Sequence, residues 1–127
     1  MAVLSMHHVS MIVADTAKAL TFYRDILQLP VSGARPELGF PGAWLQLGTQ
    51  QIHLLEVPNP DPVGERPQHG GRDRHLALAV DALAPFEQRL QAAGLSFTRS
   101  KSGRQALFCR DYDGNTLELI EVASSGQ

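Results

Sequence analysis

Two stretches of this chain share one plan. "HHVSMIV" at 7–13 and "RHLALAV" at 74–80 each place a histidine at the head of an apolar run with β-type alternation. An aspartate and an amphipathic segment follow each run, at Asp15 and Asp81. Alternation of period two builds a strand and apolar spacing of three to four builds a helix. A strand–helix order that occurs twice confines the chain to a duplicated architecture.

The rest of each half extends the repeat. In the first, 6–13 reads as a strand, Asp15 as a helix N-cap and "TAKALTFYRDIL" as a helix with Leu20, Tyr23 and Leu27 inward. Residues 30–41 carry three prolines and two glycines and leave room for one short edge strand. "GAWLQLG" and "QQIHLLEV" read as two strands around a tight turn at "GTQ". In the second half, "RHLALAV" is a strand and Asp81 the expected cap. "ALAPFEQRLQAAG" is a helix with Pro85 in its first turn, Gly94 past its end and Leu83, Phe86 and Leu90 inward. "LSFTRS", "QALFCRD" and "NTLELIEV" are strands, and the tail "ASSGQ" should fray. Each half thus reads βαβββ. The fold class is α+β, in one domain over 1–127: module one at about 5–57, a stiff connector at about 58–72 rich in proline and glycine, and module two at about 73–122.

Composition narrows the function. A formal net charge of −2 gives no electrostatic case for nucleic acid or an anionic membrane surface. No apolar stretch approaches the ~18 residues of a membrane span. The N-terminus lacks the basic head and apolar core of a signal peptide. The single cysteine, Cys109, permits no intramolecular disulfide, which fits a reducing compartment, and reads as a small buried apolar residue. A cytoplasmic location is expected.

Overlaying the halves by their first strands matches His8 to His75, 67 positions apart. Overlaying "IHLLEV" on "LELIEV" matches His53 to Glu118, 65 positions apart. Strand alternation puts all four on the face away from the helices, with Val9, Met11 and Val13, or Leu76, Leu78 and Val80, on the other. Three imidazoles and a carboxylate on one kind of face make a metal site by type, suited to Zn, Ni, Fe or Cu. Arg104 and Arg110 flank the strand "QALFC" and are candidates to clamp a substrate carboxylate or phosphate. His7 points to the other face, and His69 sits in the connector.

With these residues assembled, nearly the whole chain, about 6–122, resembles the vicinal oxygen chelate superfamily, which spans glyoxalases, bleomycin-resistance proteins and extradiol dioxygenases. "HHVSMIVADTAKALTFYRDILQL" is similar to the family's opening, "RHLALAVD" to the start of its second module, and "FCRDYDGNTLELIE" to its closing segment. Tyr112 stands where that closing motif has proline, and His53 where glyoxalase I has glutamate.

The resemblance implies paired βαβββ modules around a U-shaped mixed-sheet cleft. It implies one divalent metal ion (Ni, Co, Zn, Mn or Fe) held by His8, His53, His75 and Glu118, with Glu118 also moving a proton. The activity implied is most like glyoxalase I: isomerase or lyase chemistry on a thiol hemiacetal of a small 2-oxoaldehyde through a metal-stabilised enediolate. An Fe(II) extradiol-type dioxygenase, resting on His8, His75 and Glu118 alone, is one alternative. An antibiotic-resistance thiol transferase or a non-catalytic drug-binding protein is another. The resemblance also implies a small-molecule substrate and a homodimer, with the metal site within one chain or shared by two.

Overall fold

The computed structural model describes residues 1–122; the tail expected to fray, 123–127, lies outside the described residues. Contacts divide the chain into two compact units, 1–61 and 62–127. Mixed sheets of three and four strands, with few helices, give the α+β class expected.

In the first unit β1 (His8–Val13) leads into α1 (Thr16–Leu20), whose last turns widen into a π-helical segment at Thr21–Ile26. Asp15 caps α1 as its type demands: Oδ1 accepts from the Lys18 amide at 3.1 Å. Ala19, Phe22, Tyr23, Ile26 and Leu27 are the buried helix face, spaced by three and four. β2 (Gly42–Leu47) and β3 (Gln50–Glu56) form a hairpin, and the sheet order is β1-β3-β2. β1 runs parallel to β3. The short edge strand expected in 30–41 is absent. Only one bridge, Val31 to Leu45, survives there, because Pro30, Pro36 and Pro41 remove the donors a strand needs.

The second unit repeats the plan with one strand more. A single 3-10 turn at Gly70–Arg72 precedes β4 (His75–Val80), and then come α2 (Ala84–Ala92), β5 (Phe97–Arg99), β6 (Ala106–Arg110) and β7 (Thr116–Glu121). The order is β4-β7-β6-β5, with β4 parallel to β7. Leu83, Leu90, Leu107, Leu117 and Leu119 make its core. The β6–β7 turn is built on buried Asp111, which accepts from the amides of Asp113 and Asn115, both at 2.9 Å. Gly114 stands there at φ +80°, and a Cβ on it would lie 2.5 Å from the Val63 carbonyl oxygen.

Asp81 does not cap α2. The helix starts at Ala84, and Leu83 precedes it in helical conformation without a side-chain cap. A residue from β7 takes over: the Leu83 amide donates to Glu121 Oε1 at 3.0 Å. The first unit has the same device, since the Thr16 amide donates to Glu56 Oε1 at 2.8 Å. Each glutamate is paired across the parallel ladder with the last residue of the first strand, Val13 with Glu56 and Val80 with Glu121. A carboxylate on free helix-start amides satisfies orphan donors and complements the helix dipole. Glu56→Ala is therefore expected to lower unfolding free energy by ~1–2 kcal/mol, and Glu56→Gln by less, because it keeps an acceptor. Urea denaturation of the three proteins measures both.

Candidate metal-ligating site

The parallel pairing sets the candidate ligands in equivalent places within each unit. His8 is opposite Gln51, with His53 two residues further along β3. His75 is opposite Thr116, with Glu118 two residues further along β7. Both first-strand histidines are exposed and alternate with half-buried or buried apolar neighbours, the facing expected from period two.

In the first unit the His8 and His53 rings stack, with centroids 4.0 Å apart and planes 16° from parallel. Trp44, the cross-strand partner of His53, stacks on the other face at 4.1 Å and 5°. His53 is thus sandwiched, and its Nε2 lies 2.8 Å from Gln51 Oε1. Gln51 Nε2 donates to Gln46 Oε1 at 2.8 Å, so the end of the amide that faces His53 is the oxygen, which can only accept. His53 then donates from Nε2 and keeps its lone pair on Nδ1. Burial, followed by the charges of His8, His7 and Arg35, pushes the His53 pKa down and favours the neutral ring. His8 Nδ1 lies 2.8 Å from His7 Nδ1.

In the second unit His75 Nδ1–H donates to the Asp73 carbonyl oxygen at 2.9 Å. A carbonyl can only accept, so Nδ1 carries the proton and neutral His75 presents a lone pair at Nε2. That atom faces Glu118 Oε1 at 3.2 Å. Two acceptors hold such a distance only when a cation, a proton or a metal ion, mediates between them. The second carboxylate oxygen, Oε2, is buried with no hydrogen-bond partner among the described residues, and Arg104 Nη2 stands 3.7 Å away. The Glu118 side chain is 4% exposed. It is buried where an open cleft face was expected. Gly70 seats the 3-10 turn on that face of β6 and β7: a Cβ on it would be 2.7 Å from Thr116 Cγ2 and 2.8 Å from Phe108 Cβ. An under-satisfied buried carboxylate beside an imidazole oriented through its Nδ1 fits a divalent cation. Among the described residues, no group of three or more His, Cys, Asp and Glu side chains is gathered at one point.

Arg104 and Arg110 differ. Arg104 borders the same cavity as His75 and Glu118. Arg110 does not; its donors are taken up inside the unit. Nη1 donates to Asp73 Oδ2 at 2.8 Å, to the Gly114 carbonyl at 3.0 Å and, in a short contact, to Thr116 Oγ1, and Nη2 donates to the Pro67 carbonyl at 2.6 Å. Arg66 Nη1 adds a second ion pair to Asp73, at 3.2 Å. Cys109 is buried, and burial, then the charge of Asp111, pushes its thiol up to about 12, which leaves it inert as a nucleophile. Sequence reasoning missed the role of Asp73. Its only signal is a carboxylate two residues before a ligand-type histidine. Trp44 was legible as the partner of His53 only by counting back across a two-residue turn.

A family model described as the Glyoxalase/Bleomycin resistance protein/Dioxygenase superfamily matches residues 5–119. The chain belongs to this superfamily. Among relatives of this glyoxalase-fold protein, Glyoxylase I 4 of Arabidopsis thaliana is 30% identical over 127 residues, covering 94% of this chain and 72% of the relative. YwkD of Bacillus subtilis is 33% identical over 124 residues, covering 92% and 96%. A solved glyoxalase family protein from Bacillus anthracis is 22% identical with a TM-score of 0.76, covering 94% of this chain and 96% of that one. A mutant of the fosfomycin resistance protein FosX from Listeria monocytogenes, complexed with Mn(II) and a dihydroxypropylphosphonic acid, is 17% identical with a TM-score of 0.74, covering 98% and 95%. Likeness at these last two identities establishes the shared fold.

Asp73 generates a pH prediction. Its carboxyl is lowered to about 2 from 3.8, first by the Arg110 hydrogen bond, with further lowering by the Arg74 amide and Arg66 against the opposing effect of burial. A carboxyl lower in the folded than in the unfolded state adds stability that is complete above the unfolded value. That stability is lost as pH falls from about 4 toward about 2. Asp73→Asn is expected to be less stable than the parent at pH 6 and to lose less stability between pH 4 and pH 2. Denaturant midpoints across that range check both.

Proposed function

We propose that this chain is a divalent-metal-dependent enzyme of glyoxalase I type, acting on the thiol hemiacetal of a small 2-oxoaldehyde. His8, His53, His75 and Glu118 are its metal-holding residues. The observation that carries the reading is the His75–Glu118 pair, with His75 Nε2 3.2 Å from a carboxylate oxygen whose twin is buried without a hydrogen bond among the described residues. The 30% identity to Glyoxylase I 4 supports the same chemistry.

Bound at these residues, a divalent ion supplies Lewis-acid stabilisation to negative charge that develops on substrate oxygen. The chain supplies the rest. Glu118, whose side chain is 4% exposed, is the group that takes the proton from carbon and returns it to the neighbouring carbon. The Asp73 carbonyl fixes the His75 tautomer, so that Nε2 rather than Nδ1 is the donor atom. Arg110 and Arg66 hold Asp73 in place. We therefore assign Arg110 a positioning role and give the substrate contact to Arg104. A homodimer and a cytoplasmic location complete the reading; no helix among the described residues is long and apolar enough to cross a membrane.

A second reading is favoured by one specific feature. His53 is packed between two rings, and its Nε2 is engaged by Gln51. Without His53 the set is two histidines and one carboxylate, the arrangement of non-haem Fe(II) oxygenases with open positions for O₂ and a catechol.

Elemental mass spectrometry of the purified protein, with variants alongside, separates the two. About one Ni, Co, Zn or Mn per chain is expected. Loss of that ion is expected in both His75→Ala and Glu118→Gln, together with a ~10²–10⁴-fold fall in turnover of a methylglyoxal–thiol adduct in Glu118→Gln. Weakened metal retention in His53→Ala supports the four-residue set. Iron retained in His53→Ala, with catechol cleavage, moves the assignment to the dioxygenase. No uptake of any of these ions overturns both.

A further inference from the structure

The segment between Leu29 and β2 forms no strand, yet it is stiff. Pro30, Pro36 and Pro41 each lock a backbone angle, and Pro36 also biases the residue before it, Arg35, toward extended backbone. The Arg35 side chain folds over the start of β2. Its Nη2 donates to the Phe40 carbonyl at 2.7 Å, and the guanidinium carbon stands 5.4 Å from the centroid of the Phe40 ring. Gly42 makes the seat: a Cβ there would collide with the Leu54 carbonyl oxygen and lie 3.0 Å from Arg35 Nη2.

Arg35 thereby lines an open cavity of about 510 Å³ in the first unit, with Thr16, Glu37, Phe40, Pro41 and Gly42. That volume falls within the range of small-molecule sites. Two side-chain atoms of its lining residues, Arg35 Nε and Thr16 Oγ1, are buried with no hydrogen-bond partner among the described residues. A buried donor without an acceptor costs stability, and an acceptor brought by a ligand relieves the cost. Glu37 supplies the opposite charge. Its Oε1 accepts from the Gly39 amide at 3.2 Å, and its Oε2 has no hydrogen bond or ion pair among the described residues. Arg35 and Glu37 thus border one cavity without pairing with each other, because each is turned to a backbone group of its own loop. The cavity keeps a cationic and an anionic group uncancelled, beside the apolar surfaces of Phe40 and Pro41.

We propose that this first-unit cavity binds an amino acid with an apolar side chain. Its carboxylate lies on the Arg35 guanidinium beside the Thr16 hydroxyl, its ammonium on Glu37, and its side chain against Phe40 and Pro41. A guanidinium offers planar, forked donors to a carboxylate, and the Glu37 carboxylate, which only accepts, suits the three donors of an ammonium. An anion alone would bring like charge to Glu37, and a cation alone would bring it to Arg35; a zwitterion matches both. The cavity shares no lining residue with the one bordered by His75 and Glu118, and it includes none of the four proposed metal-holding residues. The proposal therefore does not rest on the glyoxalase reading.

The test is a ¹H–¹⁵N titration of the metal-free full chain in chelator at constant ionic strength, with three probes of similar shape. L-leucine carries both charges, isocaproate only the carboxylate and isoamylamine only the ammonium. Saturable shifts at Thr16 and in residues 35–42 are expected with L-leucine, and binding at least tenfold weaker with either single-charge probe. Glu37→Gln, at an exposed position, is expected to weaken L-leucine at least tenfold and to leave isocaproate unchanged; Arg35→Lys is expected to weaken both. The same spectra show whether the variants keep the fold. The proposal is overturned if L-leucine gives no saturable shifts at these residues or shifts residues 69–75 and 100–104 instead. It is also overturned if a single-charge probe binds as tightly as L-leucine, or if Glu37→Gln binds L-leucine as the parent does. Because no metal is present, this result stands or falls independently of the metal-uptake experiment.

Discussion

Within each unit the first and last strands run parallel and share a single register, and most of the local chemistry follows from that pairing. A parallel pair needs a crossover between its members, and here α1 or α2 and the intervening strands supply it. The register places the glutamate at the end of the last strand where its carboxylate reaches the start of the helix. It places the first-strand histidine diagonally across from the second candidate ligand. Fixing the ladder therefore fixes the helix start and the ligand pair together. A slip of one residue would turn both to the wrong face.

The two units use this common geometry for different local chemistry. In the first, aromatic stacking from His8 and Trp44 buries both faces of His53 and favours its neutral form. In the second, ionic and hydrogen-bonded order dominates. Arg66 and Arg110 clamp Asp73, whose carbonyl selects the tautomer of His75, which faces a buried carboxylate. A chain of side chains that each hold the next in one orientation is how a site keeps donor atoms directed without help from the ligand.

Charge in this fold divides into ion pairs that order the chain and cations that border a cavity. Asp73 absorbs Arg66 and Arg110, Glu87 absorbs Arg99 and Asp25 absorbs Arg24. Arg72, Lys101 and Arg104 line the cavity that Glu118 borders. Charge satisfied within a fold contributes order, whereas charge left unsatisfied around a cavity is available to a ligand.

Much of the architecture was legible in the sequence. Strand alternation, the Asp15 cap, the helix faces and the duplicated order all arise from neighbours within a few residues, where periodicity and propensity act. The facing of His8, His53 and His75 follows from the same alternation. Other features escaped because they join distant residues. The cap of α2 comes from Glu121, 38 positions from Leu83, and not from nearby Asp81. The burial of Glu118 depends on a turn at Gly70 that packs on β6 and β7. The guanidinium of Arg110 is engaged by Asp73, 37 positions away. The sequence by itself determined which residues form strands and helices and which side of each strand a histidine takes, since those choices are set by local backbone geometry. Only the tertiary structure decided which carboxylate is buried, which nitrogen of His75 is free and which arginine remains available, since those depend on desolvation and on partners that chain folding alone brings within reach.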